Sequence, residues 1–113
     1  MKTLRAQLVS KLVKHHAVNE KVWEGRDDGF TSLELDRKEF AHFHNDNEID
    51  VRLTKKLIKL NQLTHPSGSK NHPNRSKNSV WVELRFHDQS DVEVVYDLIS
   101  QLIRSTGFIQ HQE

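Results

Sequence analysis

The sequence predicts an α+β domain in which an antiparallel sheet of about four strands, in the order α-β-β-β-α-β-α, is covered by helices on one face. Three observations predict it. Apolar residues recur at helical spacing near both ends of the chain, residues 31–53 and 80–86 alternate apolar with polar, and short polar turns join the alternating stretches. With 113 residues and 35% hydrophobic content, the chain cannot bury a sheet on both sides, so one face is left partly open. Residues 1–113 fit a single domain.

Leu4, Leu8 and Leu12, with Val9 and Val13, mark a first amphipathic helix over residues 3–16. "WEGRDDGF" is turn-like. Thr31–Leu35, Glu39–His44 and Ile49–Leu53 read as three strands of a meander joined by "DRK" and "NDNE" turns. Thr54 can cap a short helix through Leu63, with Leu57 and Leu60 turned inward. Residues 64–78, "THPSGSKNHPNRSKN", carry no period, and a loop so long in so small a domain is more often functional or mobile. Pro66 and Pro73 stiffen it at His65 and His72. Val80, Val82, Leu84 and Phe86 alternate with Trp81, Glu83 and Arg85 in the clearest strand of the chain. Ser90 and Glu93 form a capping box that opens a last helix. Its apolar face carries Val92, Val95, Ile99, Leu102 and Ile103, and Gly107 ends it.

Composition narrows the function classes. With no cysteine there is neither a disulfide framework nor thiolate chemistry. No apolar run approaches the ~18 residues of a membrane span, and lysines interrupt the N-terminal helix where a signal peptide would be apolar. A cytoplasmic location without membrane association is the default expectation. Charge is 29% of the chain and nearly balanced, yet unevenly placed. Residues 51–82 hold Arg52, Lys55, Lys56, Lys59, Lys70, Arg75 and Lys77 and not one acid. Such a cluster steers anions, although it is also what a solvated helix face and a polar loop look like.

Alternation tells which residues share the open face. Ala41 and Phe43 in one strand and Ile49, Val51 and Leu53 in the next must all point to the core, which a three-residue "DNE" turn allows. That register sets His44 near Asp50 and His42 near Arg52. One face then carries His42, His44, Asp50, Arg52, Trp81, Glu83 and Arg85, beside a basic loop with His65, His72 and Arg75. Four readings compete for it. His42 and His44, two apart on a strand, can converge on one metal ion. With Glu48 they match part of the cupin metal pattern, though Asp36 and Lys55 stand where its glycines belong. A His–Asp contact can do acid–base work, with His42, His44 and Asp50 as the candidates. Arg52, Arg75, Arg85 and Trp81 suit phosphates or bases, against which Asp50 and Glu83 stand. Finally, such residues can form cross-strand pairs that only keep a sheet face soluble. No nucleophile motif and no Gly-rich phosphate loop is present.

The run "EFAHFHNDNEIDVRLT", then a helix, "HP", "RSKNSVWVELRF" and a helix opening "SDVEVVYDLI", resembles the small bacterial and fungal "luciferase domain" family. The resemblance spans about Trp23 to Ile103 and falls on Glu39, His42, His44, His65 and Trp81. The label does not imply the flavin-dependent luciferases, which are (β/α)₈ barrels of ~250 residues. The element order is also similar to that of YjbR-type double-wing domains, a likeness of topology alone.

The leading expectation is a small binding domain for an anionic or phosphate-bearing ligand, held by Arg52, His65, His72, Arg75, Trp81, Glu83 and Arg85, with no cofactor required. The alternative is a small enzyme using His42 and His44, with a metal ion as its one candidate cofactor. Third comes a nucleic-acid-binding module.

Overall fold

The computed structural model describes residues 3–65, 72 and 74–105. Gly107, Pro66, Lys70 and Pro73, singled out above, lie outside the described residues. Helix α1 (Leu4–His15) leads into strands β1 (Val18–Val22), β2 (Thr31–Leu35), β3 (Lys38–Asn45) and β4 (Glu48–Arg52). Helix α2 (Lys55–Leu60), strand β5 (Trp81–Arg85) and helix α3 (Gln89–Ser105) follow. Among the described residues the sheet has five strands in chain order, each antiparallel to its neighbour.

The strand beyond the expected four is β1. Its sequence, VNEKV, buries only Val18, while Val22 is 73% exposed. An edge strand that is polar on both faces gives no period-two signal, so its pairing with β2 decides its state.

Helices α1 and α3 lie against one face. Leu8 and Leu12 of α1 and Val92, Val95, Ile99, Leu102 and Ile103 of α3 close over Leu33, Ala41, Phe43, Ile49, Val51 and Val82 from four strands. Thr3 caps α1 through the Ala6 N–H at 3.0 Å. Arg5 holds α1 to the sheet, its guanidinium lying 4.4 Å over the Phe43 ring and donating to Thr31 Oγ1. Thr54 caps α2 as expected, but the helix stops at Leu60, where Gln62 takes a left-handed φ of 55°. Leu57 therefore packs inward while Leu60 is 70% exposed, against the expectation that both face the core. The cap of α3 falls two residues before the expected Ser90. Asp88 accepts from the Asp91 N–H at 2.8 Å, and Asp91 reaches back to the His87 N–H.

Two hairpins set the registers that matter. Between β2 and β3 the loop is only Asp36 and Arg37, both left-handed with φ of 53° and 67°. A two-residue loop of this hand favours Asn-Gly, so an arginine there carries backbone strain. Arg37→Gly is expected to raise stability by about 1 kcal/mol, read as a higher urea midpoint with unchanged slope.

The β3–β4 hairpin corrects the expected register. Ala41 pairs with Val51, His42 with Asp50 and Phe43 with Ile49, but Asn45 pairs with Glu48. The loop is thus two residues, and His44 is an extra residue bulged from the ladder. His42, not His44, stands opposite Asp50, and Arg52 pairs with Trp81 on the other side. The bulge absorbs the single residue of mismatch, which lets Ala41, Phe43, Ile49 and Val51 all reach the core without a three-residue turn. A second bulge lies at the other end of β3. Leu33 pairs with Ala41 but Glu34 with Glu39, leaving Phe40 unopposed.

Candidate metal centre

Across the sheet, Ser32, His42, Asp50 and Glu83 form one row of paired positions on the face away from the helices. Asp50 and Glu83 are 1% and 3% exposed, so two carboxylates face each other with almost no water. Such a pair is tolerable only when cations answer it. Arg85 pairs with Glu83, Nε donating at 3.1 Å and Nη2 standing at 3.0 Å. Arg75 closes on Asp50 from the segment before β5, Nη1 and Nη2 each donating to one carboxylate oxygen, the second at 2.8 Å. Arg75 also donates to the Trp81 carbonyl at 3.0 Å, which ties that segment to the sheet.

Two imidazoles meet at the same carboxylate, and a third meets one of them. His42 Nε2 is 3.3 Å and His72 Nε2 3.4 Å from Asp50 Oδ2. His44 Nε2 lies 3.1 Å from His72 Nε2. Donor atoms of these four residues all fall within 4.8 Å of one another. A tetrahedral ion with bonds of about 2.0 to 2.1 Å separates its ligand atoms by roughly 3.3 to 3.4 Å. The separations of 3.1, 3.3 and 3.4 Å are close to that size, and the other donor pairs, within 4.8 Å, would have to draw in to complete such a polyhedron.

The local folding explains the convergence. His42 and His44 share the open face by alternation, and the bulge takes His44 out of the ladder pairing. The Phe40 bulge brings Glu39 to that face as well. In a regular strand residues three apart point to opposite faces, yet Glu39 Oε2 accepts from His42 Nδ1 at 3.1 Å. Ser32 Oγ donates to the same oxygen at 3.1 Å and accepts from Trp23 Nε1 at 2.8 Å. The chain Trp23–Ser32–Glu39 thus holds His42 with Nδ1 as donor and Nε2 turned to Asp50. A carboxylate behind an imidazole is the usual outer partner of a metal-binding histidine. Phe30 and Trp81 flank the His42 ring at centroid distances of 5.1 and 5.2 Å, and Phe30 also meets the His44 ring edge-on.

The electrostatics favour free lone pairs. Burial lowers the His44 pKa from its ordinary 6.5, and the charges of His42 and His72 lower it further against the pull of Asp50 and Glu83. At neutral pH the His44 ring is therefore uncharged. Burial alone would raise the Asp50 carboxyl. The hydrogen bonds from Arg75 and His42 and the charges of Arg75 and His72 outweigh it and hold the group well below the usual carboxylate range.

Both shifts act on stability in the same direction. Below 6.5 the unfolded His44 takes up a proton that the folded ring refuses, and below 3.8 the unfolded Asp50 does likewise. Stability is full above these values and falls as pH drops toward the folded ones. In metal-free protein the thermal midpoint is expected to decline steadily from pH 7.5 to 5. His44→Gln should flatten that limb, and an unchanged decline in the variant would refute the assignment.

The candidate residues do not all meet. His42, His44, Asp50 and His72 converge, with Arg75 on Asp50 and Trp81 against His42. Glu83 and Arg85 form the neighbouring pair. Arg52 is exposed beyond Asp50 on β4. His65, half-buried beyond α2, is outside the converging group, and its buried Nδ1 has no hydrogen-bond partner among the described residues. Phe30, Ser32 and Trp23 went unnoticed in the sequence as parts of the site. They lie apart from the histidines along the chain, and only strand pairing brings them in.

A five-stranded meander backed by two helices, with a His/Asp cluster on its bare face, defines a small α+β domain with ionisable residues gathered on the open sheet. The family model described as Luciferase domain matches residues 37–101, more than half of the chain, and the chain belongs to that family. The matched span holds all four converging residues. Nothing among the curated proteins or the solved structures matches the chain. The likeness to YjbR-type double-wing domains stays one of element order. Among the described residues no helix is long and apolar enough to cross a membrane.

Proposed function

We propose that this domain binds one divalent first-row transition ion, zinc by donor preference, through His42, His44, His72 and Asp50. The observation that carries it is the meeting of imidazole nitrogens and a carboxylate oxygen at 3.1 to 3.4 Å. Glu39 holds the His42 ring through Nδ1, which leaves Nε2 as the nitrogen turned to the Asp50 oxygen, where an ion would take the place of the hydrogen-bonding proton. Three imidazoles and an oxygen form a nitrogen-rich set that suits zinc, iron or nickel better than magnesium or calcium.

The anionic ligand suggested by the charge pattern fits the same reading. Arg75 and Arg85 are engaged by Asp50 and Glu83, so a bound ion becomes the receptor for an anionic group on this face. Three imidazoles and one carboxylate oxygen would fill a tetrahedral ion, so a water or ligand oxygen would enter as a fifth donor, as Lewis-acid chemistry requires. Nucleic acid is less well served, because the buried acids of the row repel a polyanion.

The test is direct. Protein purified without a His tag is stripped with chelator, and zinc, manganese and iron(II) are titrated in, followed by metal analysis after desalting. About one equivalent of one of these ions is expected, and a rise in thermal midpoint with it. Failure of all three to bind at micromolar concentration would remove the proposal.

A further inference from the structure

We propose a second site, a cleft that binds an aliphatic carboxylate. It lies where the β2–β3 hairpin and the end of β4 meet the last turns of α3, and its volume is about 660 Å³. That is within the range of small-molecule sites. Its walls are core residues reached from the outside. Leu35, Leu53, Leu102 and Ile103 line it, all but buried, together with the bulged Phe40. Such walls accept a hydrocarbon and offer a polar ligand almost nothing to bond.

The rim is different in kind. Lys38, Arg52 and Lys55 all border the cleft, and no ion pair engages any of the three among the described residues. The single acid that lines it among the described residues, Glu39, is turned to Ser32 and His42. Three cations over an apolar chamber call for an amphipathic anion, with its tail inside and its charged head at the rim. A neutral lipid would leave the cations unanswered, and a nucleotide would bury polar edges against leucine. A carboxylate on a saturated chain satisfies both parts. The inference stands apart from the metal reading, since none of the four converging residues lines the cleft.

The experiment uses metal-free protein and calorimetric titration with octanoate, decanoate and dodecanoate, with decanol as the neutral control. Each added methylene is expected to tighten binding by about fourfold until the cleft is full. Decanol should bind more than tenfold more weakly than decanoate. Charge reversal at the exposed residues, Lys38→Glu with Lys55→Glu, should weaken decanoate at least tenfold and leave decanol unchanged. Amide shifts on adding decanoate should centre on Phe40, Val80 and Leu102. No decanoate binding at millimolar concentration, binding indifferent to chain length or charge reversal, or shifts centred elsewhere would each overturn the proposal.

Discussion

Arg75→Ala is expected to destabilise the domain by about 3 kcal/mol, the low end of what breaking a buried ion pair costs. The reason lies in Asp50, 1% exposed beside the equally shielded Glu83. Without the two guanidinium bonds its carboxylate keeps its charge, its burial and a like-charged neighbour, and loses its main partner. Removing both members should be far milder. Asp50→Leu with Arg75→Met replaces the pair by apolar groups of similar volume and should recover most of the loss. Urea unfolding of the wild type, the single and the double variant measures both steps. A single variant within 0.5 kcal/mol of wild type, an order-of-magnitude threshold, would mean that the pair is not formed in solution. The single variant also frees the segment that carries His72, so its zinc affinity should fall as well.

His72→Ala is expected to reduce zinc affinity by more than a factor of about 100 while leaving the metal-free midpoint almost unchanged. The expectation follows from what the ring does. It supplies one nitrogen to the cluster from outside the sheet, with its side chain 22% exposed, so its loss opens no core cavity. Glu39→Gln should give a smaller loss, about 10- to 100-fold, because it acts on the His42 ring and not on the ion. Competition titration against a chromophoric chelator ranks the two. If Glu39→Gln proves the more damaging, His72 is not a ligand and the centre is built from β3 and β4 alone.

The open face was legible in the sequence because the core face was. Ala41, Phe43, Ile49 and Val51 alternate so regularly that His42, His44 and Asp50 could only lie opposite them. Which histidine meets Asp50 was not legible, because a bulge at His44 leaves no mark on alternation. Glu39 drew notice through family resemblance alone, since its spacing from His42 makes sense only once Phe40 is known to bulge. His72 and Arg75 stood out as charged residues of a long loop. Their arrival at Asp50 depends on contacts between distant parts of the chain, which no local pattern encodes. Strand β1 was silent for the opposite reason, having too little apolar patterning to declare itself.

The two irregularities of β3 carry a consequence for how such a domain can change over generations. Between them, Leu33–Ala41, Ser32–His42 and Thr31–Phe43 keep unbroken pairing with β2. Each surplus residue sits outside that segment and decides which neighbour is presented to solvent. Gain or loss of a single codon at position 44 would therefore rewrite the chemistry of the surface while sparing the hydrophobic interior. Surface chemistry and core pairing are thus set by different residues of this strand.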